Sequence, residues 1–475
     1  MIERLMGRLL KGLALIGSIV LLWGCGQDKV SHEAGTALLH DSTAYNTGSN
    51  TGGNTGSNTG GNTGGMQKGR FESLRGRKIT FLTSQNKYCD EYSLMAAAVR
   101  EIYGCDVEFQ VVPDNEYASF LRLKLATTEV PDVFEYNCPS QNQEIQASLN
   151  CVDLSQEPWV LRLVNPDIVK DPDDGNIYAM PKESAAGFMA VYYNKRILNS
   201  CGITDPHPKT YLEFLNILET VKEKGEGVIP FYETNADVWT TQIFMTGGYP
   251  AALDDRAEDT FGKLLKNELK WTEVSEFTYI LTLYQNLMKE GYVNKDQASA
   301  GYKSAVEMLG TGKAAMYLTT ELCASEVASK YPSCELGAFV IPYADRDVLP
   351  ISKSVTGLFV PIEGVQTEIS KLFLEVWSLP EIQNIYFFRQ RSFTAFTDTK
   401  GGKILDCLQK LMDEYVLTGK YIYQMNDQMP DNNLIFEELW KEYSLVASGD
   451  ITPKAALENF QHIYEDYLEK QGGMK

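Results

Sequence analysis

The hydrophobic and polar positions divide this chain into stretches of three kinds. Arg4, Arg8 and Lys11 precede an apolar run from Gly12 to Trp23, which closes on Leu21-Leu22-Trp23-Gly24-Cys25. That run of about 12 residues is short of the roughly 20 a helix needs to span a bilayer. A basic start, a short apolar core and a small residue before a cleavage point form the pattern of an export signal. Next comes a four-residue repeat that begins at Thr47-Gly48-Ser49-Asn50 and runs to Gly65. Polar, glycine-rich sequence of this kind buries too little surface to offset its ordering entropy, which predicts a flexible leash over residues 26–76. A coil of about 50 such residues has an end-to-end distance of roughly 40 Å. Beyond the leash the pattern becomes that of a folded body. Lys78–Thr83 and Asp106–Val112 read as strands, Tyr92–Tyr103 and Tyr117–Thr127 have helical spacing, and Val130–Phe134 reads as a third strand. Strand and helix in alternation predict a parallel sheet covered by helices. In open sheets of that kind ligands sit at the carboxyl ends of the strands, here Thr83–Asn86 and Glu135–Asn137.

Length and charge narrow the reading. The roughly 400 residues after the leash exceed what one core usually organises, so two lobes are expected. A net charge of −20 excludes nucleic acid as a partner, since phosphate binding demands a basic face, and argues against docking on anionic lipid. The segment ending in Cys25 resembles a bacterial lipobox. It implies a signal peptide over 1–24, Cys25 as the lipidated first residue of the mature protein, and a lipidated cysteine plus linker over 25–76. Two acyl chains on that cysteine would hold the chain at a membrane. The eight remaining cysteines leave disulfides open, with Cys89–Cys105 and Cys138–Cys151 as the local candidate pairs.

Motifs for chemistry are missing. The four histidines do not pair at metal spacing, and there is no HExxH, no CxxC pair, no P-loop and no GxSxG. Asp171, Asp173 and Asp174 read as a tight turn, because a calcium loop needs its glycine sixth and Gly175 is fifth. A glycosidase needs two carboxylates set across the bond it cleaves, and no motif selects such a pair. No catalytic residue, metal or cofactor is expected.

Gly175-Asn176-Ile177-Tyr178-Ala179-Met180-Pro181 followed by Ala190-Val191-Tyr192-Tyr193-Asn194-Lys195 resembles a segment of bacterial extracellular solute-binding proteins of the carbohydrate type, the family that includes the maltose-binding protein. Further resemblances follow in order at Met308–Tyr317, Phe373–Gln383 and Gly449–Leu457, so that together they cover nearly the whole of residues 77–470. The resemblance implies an α/β, two-lobe periplasmic-binding-protein-like fold whose discontinuous lobes are joined by a hinge. Lobe 1 is then 77–188 with 345–398, and lobe 2 is 189–344 with 399–475. Crossings are expected near Ala185–Met189, Ile341–Ser352 and Thr397–Gly402. It also implies a monomer on the outer face of the cytoplasmic membrane that captures a sugar or oligosaccharide and delivers it to the permease of an ABC transporter. A receptor for a non-sugar solute, a sensor lipoprotein and a glycan-active enzyme are the alternatives.

A sugar offers hydroxyls to hydrogen-bonding groups and C–H faces to flat aromatic rings. On that chemistry and the family pattern, the candidate ligand-binding residues are Ser84, Gln85, Asn86, Tyr136, Glu183, Asp237, Trp239, Thr320, Glu321 and Trp440. Lys182 is set beside Glu183, and Arg389 and Arg391 read as helix-end cations. Leu322 stands where the family often has a stacking tryptophan, which argues against a three-platform maltodextrin site.

Overall fold

A computed structural model of the protein describes residues 69–127, 129–185, 187–429 and 433–472. The export signal, Cys25 and the leash as far as residue 68 lie outside them. Eleven strands occur among the described residues: β1 Lys78–Ser84, β2 Asp106–Val112, β3 Val133–Cys138, β4 Ala179–Pro181, β5 Ala190–Asn194, β6 Ile229–Tyr232, β7 Ala314–Thr319, β8 Leu336–Phe339, β9 Leu349–Ile351, β10 Val355–Phe359 and β11 Tyr421–Tyr423. Folding begins a little ahead of β1. Leu74, inside the stretch read as leash, is fully buried, and the Gly76 N–H donates to the Gly104 carbonyl at 2.8 Å.

Two α/β layers result. The first sheet has the order β2-β1-β3-β10-β4, with β1 parallel to β2 and β3. The parallel part is the strand–helix alternation read from the sequence. Its continuation is not local, because β10 arrives from far down the chain and runs antiparallel to both β3 and β4. β10 lies that close to its neighbours because its middle residue is Gly357. A Cβ there would fall 2.5 Å from the Cys138 Sγ and 2.6 Å from the Ala179 Cβ. The second sheet has the order β6-β7-β5-β8, with β5 antiparallel to β7 and β8 and β6 parallel to β7. Every residue of β5 and β7 is buried, as expected of strands covered on both faces. The period of two then divides the core: Met189, Val191 and Tyr193 enter one apolar cluster, and Phe188, Ala190 and Tyr192 the other.

The chain passes between the sheets after β4, returns after β8 through β9 to β10, and leaves again after the helix Pro380–Gln390 for a helix, Asp406–Leu411, that packs on β8. β9 pairs with β11 in a separate two-stranded ribbon. Local signals end the helices. Asp90–Tyr103 opens with Asp90 and Glu91 at its positive end and closes at Gly104 (φ 69°), whose N–H returns to the Arg100 carbonyl. Arg391, read as a helix-end cation, itself takes the left-handed closing conformation (φ 54°) after Pro380–Gln390.

The eight cysteines among the described residues are all free thiols, so neither Cys89–Cys105 nor Cys138–Cys151 is bonded. Burial raises the Cys138 and Cys151 thiols well above their ordinary range and pushes Cys89 up to about 12. Asp171 and Asp174 serve the turn they were assigned to: Asp171 accepts from Asn142 at 2.8 Å and Asp174 from the Tyr178 hydroxyl at 2.5 Å. No cluster of metal-ligating groups occurs among the described residues, and no helix among them is long and apolar enough to cross a membrane.

Candidate functional site

A cleft of about 330 Å³ lies where loops of the first sheet meet those of the second, with Gly187, Met189, Ser352 and Ser354 of the crossing segments also lining it. On the side of the first sheet the wall is built from strand ends. After β1, Ser84 donates to Asp114 at 2.8 Å and the Asn86 N–H donates to the same carboxylate at 3.1 Å, which fixes the loop. The Lys87 ammonium reaches the Asn137 side-chain oxygen at 2.6 Å. The Tyr136 ring stacks on Tyr117 at 6.3 Å, and its hydroxyl donates to Glu144 at 2.7 Å.

A buried charge network supports this wall. Glu135 accepts from Tyr92 at 2.7 Å and from Thr83 at 2.5 Å. The Lys182 ammonium stands 3.5 Å from Glu135 and 4.9 Å from the centres of the Tyr92 and Tyr386 rings. Burial opposes the charge on Lys182, but the two tyrosines and Glu135 outweigh it and hold the ammonium well above its ordinary range. For Lys87 burial wins: it lowers the ammonium, with the Lys182 charge adding to it, against the pull of Glu135 and Glu183. Glu183 is half-buried by surface area yet enclosed by the cleft walls. Burial, with the Glu321 and Glu135 charges adding to it, raises its carboxyl to about 7 against the pull of Lys182.

The second sheet and its helices supply a less polar wall. Trp239 is half-buried and packs on Tyr302 at 5.6 Å, while Trp440 comes from the helix Asn433–Ser448 and is 8% exposed. β7 delivers Thr320, Glu321 and Leu322 to the cleft. Glu321 opens the helix Glu321–Lys330 and accepts the Phe188 N–H at 2.8 Å, which ties this wall to a crossing segment. Burial raises its carboxyl. Four polar atoms of cleft-lining residues are buried with no hydrogen-bond partner in the protein: the indole nitrogens of Trp239 and Trp440, the Ser325 hydroxyl and the Asn426 side-chain oxygen.

Side chains also bridge the two walls directly. Asn86 donates to Asp237 at 3.3 Å, and Lys303 donates to the Asn86 carbonyl at 3.4 Å. Ser329 donates to the buried Glu91 at 2.6 Å.

The structure brings Ser84, Asn86, Tyr136, Glu183, Trp239, Thr320, Glu321 and Trp440 together around the cleft. Two candidates from the sequence stand outside its lining. Gln85 is exposed, because the side chains of a strand end alternate in direction and its neighbours Ser84 and Asn86 turn inward. Asp237 caps a backbone instead, accepting the Tyr302 N–H at 2.7 Å as well as the Asn86 amide. The sequence reading missed Glu144, Tyr386, Gln424, Asn426 and Glu437, which also line the cleft. None carries a local signal: Glu144 lies in an irregular turn after β3, and the others reach the cleft from segments distant from the first sheet in sequence. Ser352 and Ser354 could have been found, because they flank the expected second crossing.

A family model described as bacterial extracellular solute-binding protein matches residues 90–384, more than half of the chain. The melibiose/raffinose/stachyose-binding protein MelE of Bacillus subtilis (strain 168) is 26% identical over 257 residues, 53% of this chain; the match spans 58% of the relative's own length. Among solved structures, a sugar transporter of Bacillus licheniformis in complex with stachyose superposes with a TM-score of 0.66 at 21% identity, covering 81% of this chain and 98% of that one. The binding protein RafE in complex with raffinose gives 0.66 at 18% identity, covering 82% and 98%. At such identities these structures establish the shared two-lobe fold.

Proposed function

The chain belongs to the bacterial extracellular solute-binding proteins, a family of receptors and not of enzymes, and from that premise we propose that it captures a sugar or oligosaccharide in the cleft and delivers it to the permease of an ABC transporter. The lobes are 77–188 with 345–398 and 189–344 with 399–475, and ligand shifts their open–closed equilibrium by binding the closed arrangement better. Cys25 carries the lipid anchor that keeps the receptor on the outer face of the membrane, at the end of a leash long enough to let it turn.

The observation that carries the reading is the convergence of two indole rings, those of Trp239 and Trp440, with hydrogen-bonding side chains around one cleft. Such rings can pack on a sugar face, and the Ser325 hydroxyl and Asn426 amide line the same cleft. Hydrogen-bonding groups from Ser84, Asn86, Glu183, Thr320 and Glu321 surround the same space. A volume of about 330 Å³ is at the small end of ligand sites, which suits a short saccharide. The sugar ligands bound by the relatives named above point the same way.

Thermal unfolding of the full chain across a panel of mono- and oligosaccharides tests this. A ligand that binds only the folded state stabilises it by about 3 kcal/mol at a hundredfold excess over its Kd. One sugar family should raise the midpoint. A panel of peptides, nucleosides and organic acids run beside it reports the alternative, and a shift there with none from any sugar overturns the proposal.

A further inference from the structure

The charges lining the cleft are unbalanced. Five carboxylates line it, those of Asp114, Glu144, Glu183, Glu321 and Glu437. The cations among its described lining residues are Lys87 and Lys182. Neither ammonium is free for a ligand. Lys182 is held between Glu135 and two tyrosine rings, and Lys87 is bonded to Asn137 at 2.6 Å with burial working against its charge. Three of the carboxylates also have work inside the protein, and a fourth, Glu437, has the Arg122 and Lys441 charges acting on it. Asp114 holds the loop after β1, Glu144 accepts from Tyr136, and Glu321 holds the Phe188 N–H. Glu183 differs. Apart from the Thr356 backbone, no hydrogen-bonding side chain engages it among the described residues, and it stands on the wall facing Glu321.

An anionic group brought into this cleft would lose its water and meet five carboxyl groups, with neither lining ammonium free to pair with it, which is costly. The net charge of −20 on the chain as a whole opposes its approach as well. An ammonium group would meet the opposite situation: its charge favours the ionised form of Glu183, which then accepts a charge-assisted hydrogen bond from it. We propose that the cleft selects its sugar by charge, taking neutral and aminated sugars and refusing those that carry carboxylate, sulfate or phosphate, with Glu183 as the specificity-determining residue. The proposal rests on the sugar-receptor reading and adds the chemical class of its ligand. Specificity of this kind comes as much from what the cleft repels as from what it attracts.

The test is calorimetry of the full chain with two matched series of disaccharides, one of glucose and one of galactose, each in neutral, aminated and carboxylated form. Within the series that binds, the aminated member should bind about tenfold or more tightly than the neutral one, and the carboxylated member about tenfold or more weakly. In Glu183→Gln the ratio of aminated to neutral affinity should fall to within about threefold, whatever the absolute affinities do. That ratio would not move if Glu183 served only to hold the wall in shape. A carboxylated sugar that binds as well as its neutral counterpart, or a ratio untouched by Glu183→Gln, overturns charge selection and leaves the sugar reading standing. No binding by any member of either series overturns both.

Discussion

At the scale of single residues, burial is the force that makes this chain respond to pH. Glu233 lies in the interior directly after β6, where it accepts from the Tyr284 hydroxyl at 3.0 Å, and burial raises its carboxyl to about 7. An unfolded chain releases that proton near pH 4.5, the ordinary glutamate value. Between those two points the folded state binds more protons than the unfolded state, so stability falls as pH rises from about 4.5 to about 7 and levels off above. Glu183 contributes with the same sign. Glu233→Gln keeps an acceptor for Tyr284 and removes the titration. Urea unfolding should find this variant more stable than the parent at pH 8 by about 1–3 kcal/mol and nearly equal to it at pH 4. Equal stability at both would mean that Glu233 is ionised at no cost. This environment was illegible in the sequence, since what raises the carboxyl is burial by side chains remote along the chain, against the pull of the Tyr284 hydroxyl. Trp239 and Tyr136 were reached through the family resemblance, which places an aromatic at the end of the third strand and before Gly247-Gly248.

At the scale of elements, the helix Glu321–Lys330 meets Asp90–Tyr103 and Pro380–Gln390 across the join between the two layers. The contact converges on one carboxylate. Glu91 accepts from Ser329 at 2.6 Å and from Gln390 at 3.0 Å, and Arg389 stands 3.5 Å away. Burial opposes the charge on Glu91, yet the bonds from Ser329, Gln390 and Arg389 win and hold it below the usual carboxylate range. Only Ser329 comes from the side of the second sheet. Ser329→Ala therefore removes a bond that exists when the lobes are together, while touching no residue of the cleft lining. Ligand should leave faster and affinity should fall roughly fivefold to tenfold, by the loss of one hydrogen bond to a charged group. Solution scattering of the ligand-free protein should give a larger mean radius for the variant. Unchanged release and an unchanged radius would show that this bond does not hold the lobes. The helices themselves follow from the spacing of their apolar positions, but that spacing does not say which carboxylate three of them would share.

At the scale of the whole molecule, an acidic body follows a long polar, glycine-rich stretch and a short apolar run. The charge disfavours docking on anionic surfaces, so the proposed membrane attachment rests on the lipobox-like end at Cys25. Cys25→Ala should move the protein from the membrane fraction to the medium without changing the ligand response of the folded body. Continued membrane association of that variant would remove the anchor from the account. The proposed order of the lobes in sequence rests on the family resemblance alone. β10 sits between β3 and β4, a neighbour relation across more than 170 residues that no local alternation of β10 reveals.

Determined by the sequence were the features that depend on near neighbours: the strands β1 and β2 from their apolar patterning, the presence but not the bounds of β3, the helical spacing between them, and the polar segment after β1 that reaches the cleft. The tertiary structure decided what each polar group does there. Asp237 faces the same way as a ligand contact in the linear pattern, but the N-terminus of the helix Tyr302–Thr311 takes its oxygen first. Glu183 and Lys182 are adjacent in sequence and opposite in fate, one left open to the cleft with its proton held to about pH 7, the other locked under Glu135 and two rings. Tyr386, Asn426 and Glu437 belong to the cleft only because remote segments converge on it. The physical reason is common to all of these. Backbone pattern is a property of neighbours within a few residues, whereas solvation, charge pairing and access are set by groups that only the folded chain brings into range.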